Sequence, residues 1–313
     1  MKSATIIRNI WDFFFKPQPV DNLGLMRVIF GLLLIFNWYM IWSYLDVFWG
    51  VDGLISLKTS LEYGSTIRFS LFDLMPNDPR VPALLALLNL VASIGVTLGL
   101  FTRTSMVLAF ITLLSFQNRN DFILNSGDIV LRNILFFMMF SAAGKAYSVD
   151  QWIQSLRLGK SLQPKMERPW ALRLIQIQFC VIYIATVLFK IKGSHWVDGT
   201  AVYIATRLDE FVRVPVPLLN NLALIKFMTW STLVVELAMG TLVWFKDLRY
   251  WVLLAGIGLH LGIELVMSIP MFEWVMITTM LSLVDPYDVI RVERYLRESV
   301  SKFRYRFSKM ESA

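Results

Sequence analysis

The chain contains long, nearly uninterrupted apolar segments, and this feature restricts its fold more than any other. A helix needs about 20 apolar residues to cross the hydrocarbon core of a bilayer. Hydrophobic residues make up 56% of the chain and charged residues 17%. The pattern predicts an all-α, polytopic membrane protein and excludes an ordinary soluble enzyme. We predict eight membrane-spanning helices, at residues 23–44, 81–100, 104–122, 129–146, 172–189, 222–245, 250–267 and 270–283.

The lysines and arginines predict which side of the membrane each loop occupies. Cytoplasmic segments of membrane proteins carry an excess of these residues. With the N-terminus placed in the cytoplasm, 19 of the 30 lysines and arginines lie in inner segments and 8 in outer segments. An even number of spans then returns the C-terminus to the same side. We therefore predict a multi-pass protein of the cell membrane with both termini in the cytoplasm.

Both ends of the chain are predicted to lie on the membrane surface. Residues 1–20 contain an apolar cluster that ends at Lys16 and Pro17, which favours an interfacial segment. Residues 286–313 place apolar side chains opposite a basic face, which is typical of an amphipathic helix attracted to anionic lipid. A solvated helical tail is the alternative. We expect residues 1–313 to form a single membrane domain, with its transmembrane core at 20–285.

Residue counts argue against a metal centre and against nucleic-acid binding. The chain has one cysteine, Cys180, and two histidines, so no metal site is expected. The positive charge follows the rule for membrane insertion, so the expected partner is the lipid bilayer rather than nucleic acid. These counts leave the oligomeric state open.

Ionisable side chains inside the predicted spans point to function, because charge is costly in a bilayer. His260 and Glu264 are one helical turn apart, so we predict that the carboxylate orients the imidazole. A core histidine bonded between helices is the alternative. Glu236 and Glu273 are the other acidic groups, and Glu236 could equally be a satisfied interhelical group. Lys190 ends the fifth span, where it either snorkels to the headgroups or acts as a base.

The second predicted outer loop is rich in turn-forming and polar residues, among them Asn120 and Asn125. Asp128 and Arg132 are four residues apart, so they lie on one face of a helix and we predict that they pair. An alternative function for Asp128 is to cap the helix that follows. The third outer loop carries Trp196 close behind Lys190.

Three motifs resemble those of the horizontally transferred transmembrane (HTTM) family, which includes vitamin K-dependent gamma-carboxylase. The first runs from Asn118 to Arg132 and resembles the family's second-loop signature. The second, from Lys190 to Ala201, resembles its lysine–tryptophan–glycine motif. The third, from His260 to Phe272, resembles its late histidine–phenylalanine motif. The resemblance covers roughly residues 20 to 285.

The resemblance implies a carboxylase-like membrane enzyme that uses a reduced quinone of the vitamin K type. It implies an outward-facing intramembrane site that acts on a secreted or lipid-borne substrate, including a secreted peptide or protein. Lys190 matches the lysine that activates the quinol, and His260 matches the late histidine, so both are candidate catalytic residues. Candidate substrate- and cofactor-binding residues are Asn120, Asn125, Asp128, Arg132, Trp196, Glu264 and Phe272.

A second function stays open beside the enzymatic one. The chain could be a non-catalytic accessory membrane protein that helps to mature or export a secreted peptide. A transporter is a third and weaker hypothesis, because its usual mark is a pair of inverted repeats and the sequence shows none.

Overall fold

The computed structural model describes residues 2–64, 68–159, 165–214 and 220–311, with side chains between residues 5 and 303. This part of the chain is almost entirely helical. A two-residue antiparallel pairing of β1 (Gln18–Pro19) with β2 (Met166–Glu167) is its only sheet. The α-helices, numbered α1 to α15 in chain order, are Lys2–Phe15, Asp21–Ile41, Leu45–Trp49, Leu57–Tyr63, Arg80–Leu98, Thr102–Arg119, Ser126–Met138, Val149–Leu158, Trp170–Lys190, Ser194–Val197, Ala201–Ala205, Leu222–Thr241, Lys246–Val266, Phe272–Met280 and Pro286–Glu311.

Among the described residues, five helical segments are long and apolar enough to cross a membrane. They confirm the prediction of an all-α, multi-pass membrane protein. The first includes a 3₁₀ turn and α3 after α2, and the fourth includes a 3₁₀ turn after α12. The five are Asp21–Trp49, Arg80–Leu98, Trp170–Lys190, Leu222–Trp244 and Lys246–Val266.

The other three predicted spans fall on helices α6, α7 and α14. Helix α7 has 13 residues, which at 1.5 Å per residue gives a length of about 20 Å. The hydrocarbon core is about 30 Å thick, so α7 alone does not cross it. Helix α6 has 18 residues but buries Gln117 and Arg119 near its C-terminal end. The number of eight spans, and the side on which each terminus lies, stay predictions.

The apolar core lies where α2, α6, α7, α9 and α12–α14 meet. Phe30, Leu131 and Phe179 are completely buried there. In a membrane, helices associate mainly through close packing, because lipid tails are as apolar as the side chains. At Gly31 of α2, a Cβ atom would lie 2.7 Å from the backbone nitrogen of Thr97. A glycine here therefore lets α2 and α5 approach at backbone distance.

Buried polar side chains join the helix ends on the predicted cytoplasmic side. Arg27 of α2 is fully buried and donates to the carbonyl oxygens of Val96 and Tyr147, at 3.0 and 2.5 Å. Gln176 of α9 donates to the carbonyl of Ser282 at 2.6 Å. These bonds tie the end of α5, the turn before α8 and the 3₁₀ turn after α14 to helices α2 and α9.

The predicted surface segments at both ends of the chain are helical. Helix α1 contacts the N-terminal end of α9, where Arg173 donates to the carbonyl of Phe13 at 3.0 Å and lies over its ring. Helix α15 begins at Pro286, a favourable first position because proline lacks an amide hydrogen. Tyr147 donates to Glu293 of α15 at 2.9 Å and holds the helix against the core.

Candidate functional site

His260 lies at the centre of a buried hydrogen-bonded chain. Its Nε2 is 2.6 Å from the hydroxyl of Tyr183, and its Nδ1 bonds to Oε2 of Glu273. All three residues are at most 3% exposed. A carboxylate only accepts hydrogen bonds, so a neutral His260 donates from Nδ1 and accepts from the tyrosine at Nε2. Helices α9, α13 and α14 each contribute one member of the chain.

The predicted pairing of His260 with Glu264 is wrong. Glu264 instead forms an ion pair with Arg213, at 2.9 Å. The backbone amide of Arg213 also donates to the carbonyl of Val266, at 2.8 Å. Glu264 therefore fixes the outer loop to the end of α13. The spacing of four residues allowed a pair, but neighbouring helices already occupy both nitrogens of the histidine.

Lys190 forms a second cluster at the C-terminal end of α9, which is its predicted outer end. Its Nζ is 2.5 Å from Oε1 of Glu236 on α12, and it lies 4.4 Å from the centre of a Trp196 ring. The side chains of Lys190 and Glu236 are 21% and 8% exposed. Both contacts are typical of a lysine ammonium group. Lys190 is therefore turned toward the neighbouring helix and loop rather than extended into the headgroup region.

The two clusters are connected through helix α9. Tyr183 and Lys190 are seven residues apart, so they lie on the same face of α9 and about 10 Å apart along its axis. No described contact joins Lys190 directly to His260. A single cavity that both residues face stays a prediction.

Phe272 links the His260 chain to the second outer loop. Its ring lies edge-on to His260, with centroids 6.1 Å apart. Its backbone lies directly against Gly127, where a Cβ atom would be 2.8 Å from the Cα of Phe272. The N-terminus of α7 and the N-terminus of α14 therefore meet next to the histidine. Of the three motifs, the first and third are in contact at this point.

Asn125 and Asp128 form a capping box at the start of α7. Oδ1 of Asn125 accepts from the amide of Gly127 at 2.6 Å, and Oδ2 of Asp128 accepts from the amide of Asn125 at 2.9 Å. The predicted pair with Arg132 is not formed in the described part of the chain. A side chain in the first turn points back toward the N-terminus, so the cap competes successfully for the carboxylate.

Asn120 lies apart from both clusters. Its amide group donates to the carbonyl of Phe48 at 3.0 Å, and the residue is 1% exposed. The neighbouring Trp49 donates to the carbonyl of Phe116 at 2.9 Å. These bonds attach the first outer segment to the end of α6. The geometry gives Asn120 a structural function at this attachment.

Sequence reasoning missed Tyr183 as a member of the site. It also treated Glu236 and Glu273 as isolated charges, although each bonds to a candidate catalytic residue. The signal for Tyr183 was its spacing of seven from Lys190, which places a phenol on the face of α9 that carries the lysine. No comparable local spacing connects His260 with Glu273.

Comparison with known families agrees with the motifs. A family model for the HTTM domain matches residues 15–286. The chain belongs to the HTTM domain family. The match includes all the residues of the Lys190 and His260 clusters in this HTTM protein. No curated protein and no solved structure matches the chain.

Proposed function

We propose that this HTTM protein is a membrane enzyme that transfers protons at a buried site in a carboxylase-like, quinol-linked reaction. The substrate would be secreted or lipid-borne and would reach the site from the outer side. The observation that carries this proposal is the buried chain of Tyr183, His260 and Glu273. Ionisable residues are rare in a membrane interior and by default mark a functional site, which supports a catalytic function for His260 and Glu273.

The geometry of the chain suits general acid–base catalysis. Glu273 holds the imidazole by Nδ1, which fixes its orientation and leaves Nε2 facing Tyr183. A proton that leaves the tyrosine hydroxyl passes to Nε2, and the resulting imidazolium is stabilised by the carboxylate. In the proposed enzyme, Tyr183 would exchange protons with the substrate. The imidazolium of His260, stabilised by Glu273, would then return the proton to the tyrosine hydroxyl.

The Lys190 cluster would provide a second proton-transfer group nearer the outer surface. Transfer of a proton from Nζ of Lys190 to Glu236 leaves a neutral amine and a neutral acid. The neutral amine can then take a proton from a bound hydroxyl group. Trp196 would cover this amine on one side.

One carboxylate oxygen in each cluster would be available to a reduced quinone. Oε2 of Glu236 and Oε1 of Glu273 are buried and accept no hydrogen bond from the described part of the chain. A reduced quinone has two hydroxyl donors on opposite sides of its ring, and it would supply the reducing equivalents of the reaction. Glu236 and Glu273 would orient these hydroxyl groups by accepting their hydrogen bonds.

A non-catalytic accessory function is the second candidate, and one observation favours it. Lys190 is already neutralised by Glu236 and covered by Trp196, which is also how a lysine locks two helices and a loop together. In that case the clusters would shape a surface that helps to mature or export a secreted peptide. The charge of Lys190 would matter, but its ability to lose a proton would not.

The test uses purified protein in nanodiscs, supplied with reduced vitamin K, oxygen and bicarbonate. Consumption of the quinol is followed by chromatography and mass spectrometry. Loss of one general acid–base group typically lowers a rate by about 10²–10⁴-fold, so Tyr183→Phe and Glu273→Gln should each lose activity to this extent. Lys190→Arg should be as damaging as Lys190→Ala, because arginine does not become neutral.

Glu264→Gln is the matched control, because it removes a carboxylate one turn from His260 that lies in a different ion pair. It should retain activity close to that of the unchanged protein. Each variant is compared at equal folded concentration by gel filtration. Full activity in Lys190→Arg, or no quinol consumption above empty nanodiscs by the unchanged protein, would refute the enzymatic proposal and leave the accessory function.

A further inference from the structure

A cavity of about 660 Å³ opens at the predicted cytoplasmic end of the helices, away from both clusters. It lies between the start of α6, the turn that follows α7 and the segment that leads into α9. Pockets that bind small ligands usually have volumes of about 300–1,000 Å³. The cavity is therefore large enough to hold a headgroup-sized molecule.

Three basic side chains line this cavity, and two of them have no acidic partner. Lys145 forms an ion pair with Glu167. Arg103 donates only its Nε, to the carbonyl of Met139 at 3.3 Å. Within the described ranges, no carboxylate lies in ion-pair contact with Arg103 or with Arg168. Two guanidinium groups are therefore free to bind an anion.

The acidic residues of the cavity are already occupied. Glu167 is held by Lys145. Asp150 accepts hydrogen bonds from the amides of Phe101 and Thr102, both at 2.9 Å, and so caps the start of α6. The cavity lining therefore has three basic and two acidic side chains, and both acidic ones already accept bonds within the protein.

One wall of the cavity is aromatic and apolar. The rings of Phe140 and Trp170 are 6.2 Å apart, and Met106 lies beside them. Tryptophan is enriched at the level of the lipid headgroups, where an apolar body and a polar edge are both favourable. A cationic mouth next to an apolar wall matches a molecule with an anionic head and a hydrocarbon tail.

We propose that this cavity binds the phosphate headgroup of an anionic phospholipid. Arg103 and Arg168 would contact the phosphate, since a guanidinium group binds phosphate oxygens in a bidentate manner. The acyl chains would run along Phe140 and Trp170 into the bilayer. Other basic residues of the inner surface are less suited, because Arg291 and Arg297 of α15 pair with acidic neighbours on their own helix.

The experiment measures lipid binding to the full chain in detergent by native mass spectrometry and thermal unfolding. Phosphatidylglycerol, phosphatidylcholine and inorganic phosphate are added separately. We expect phosphatidylglycerol to stay bound and to raise the unfolding temperature, while the other two have little effect. The double variant Arg103→Gln/Arg168→Gln should bind phosphatidylglycerol at least tenfold more weakly. Arg157→Gln removes an exposed arginine of α8 outside the cavity and should bind it normally.

Three results would overturn the proposal. Equal binding of phosphatidylglycerol and phosphatidylcholine would exclude recognition of an anionic headgroup. Unchanged binding by the double variant would place the lipid elsewhere. Stabilisation by inorganic phosphate as strong as that by phosphatidylglycerol would show a site for free phosphate rather than for a lipid. None of these results depends on quinol consumption, so this proposal and the enzymatic one can fail separately.

Discussion

The ion pair between Lys190 and Glu236 should contribute measurably to stability, and its geometry sets the size of the effect. Two unit charges 2.5 Å apart attract each other by about 7 kcal/mol at an effective dielectric constant of ~20. Removal of both charges from water opposes most of this attraction. Residues within one buried network couple by about 0.5–3 kcal/mol. The side-chain exposures of 21% and 8% favour the upper half of that range, and we expect a coupling of about 2 kcal/mol.

A double-mutant cycle measures this coupling. Lys190→Met leaves the buried carboxylate without its partner, and Glu236→Gln leaves the amine without its partner. Each single variant should lose about 3 kcal/mol of unfolding free energy, in line with other broken buried pairs. The double variant should recover about 2 kcal/mol relative to the sum of the two losses, which is roughly 30-fold in the unfolding equilibrium constant.

The assay is equilibrium unfolding in mixed micelles of a denaturing and a mild detergent, followed by tryptophan fluorescence. The pair of Arg213 and Glu264 is the matched control, because its arginine side chain is 44% exposed. Exposed pairs contribute about 0.2–1 kcal/mol, so the cycle of Arg213→Met and Glu264→Gln should give a smaller coupling. A Lys190–Glu236 coupling no larger than the control value would refute the reasoning from burial.

Three further predictions concern the start of α7. Ser126 is exposed, so Ser126→Cys in a cysteine-free background should react with an impermeant maleimide from outside the cell; labelling only after permeabilisation would reverse the predicted orientation. Gly127→Ala would place a methyl group 2.8 Å from the backbone of α14 and should lower the unfolding free energy by about 1–3 kcal/mol. Gly262→Ala, where the added atom meets open space, should leave the unfolding free energy nearly unchanged. Equal losses of unfolding free energy in the two variants would contradict the close contact at Gly127. The losses of unfolding free energy in Asp128→Asn and Arg132→Gln should add to within about 0.5 kcal/mol in the double variant, since the two side chains do not pair. A larger departure from additivity would show that they do interact.

The positions of the long membrane helices could be predicted from the sequence because hydropathy and helix length act together in a bilayer. The prediction of 172–189 corresponds to Trp170–Lys190, and that of 250–267 corresponds to Lys246–Val266. The prediction of 129–146 fails at its end, because α7 stops at Met138. Hydropathy does not distinguish an apolar helix from an apolar irregular segment, and the small residues from 141 to 144 pack as turns and a 3₁₀ helix.

The clusters could be predicted only in part, because they depend on contacts between helices. Local spacing placed Glu264 next to His260, whereas the partner that bonds to the ring is Glu273, from the next helix. That contact requires the chain to turn back after α13, and the turn includes Met271 in a left-handed conformation with φ of 65°. A methionine gives no sequence signal for such a backbone, since glycine and asparagine are the residues usually found there.

Helix α9 carries four polar side chains that hold it to neighbouring elements, at successive spacings of three, seven and seven residues: Arg173, Gln176, Tyr183 and Lys190. Each of these side chains has its partner on a different element, so α9 is held by polar contacts at four positions along its length. Sliding by one residue, or rotation by 100°, would separate all four from their partners at once and leave several of them buried without a hydrogen bond. The four contacts therefore fix both the rotation of α9 about its axis and its position along that axis, over its whole length.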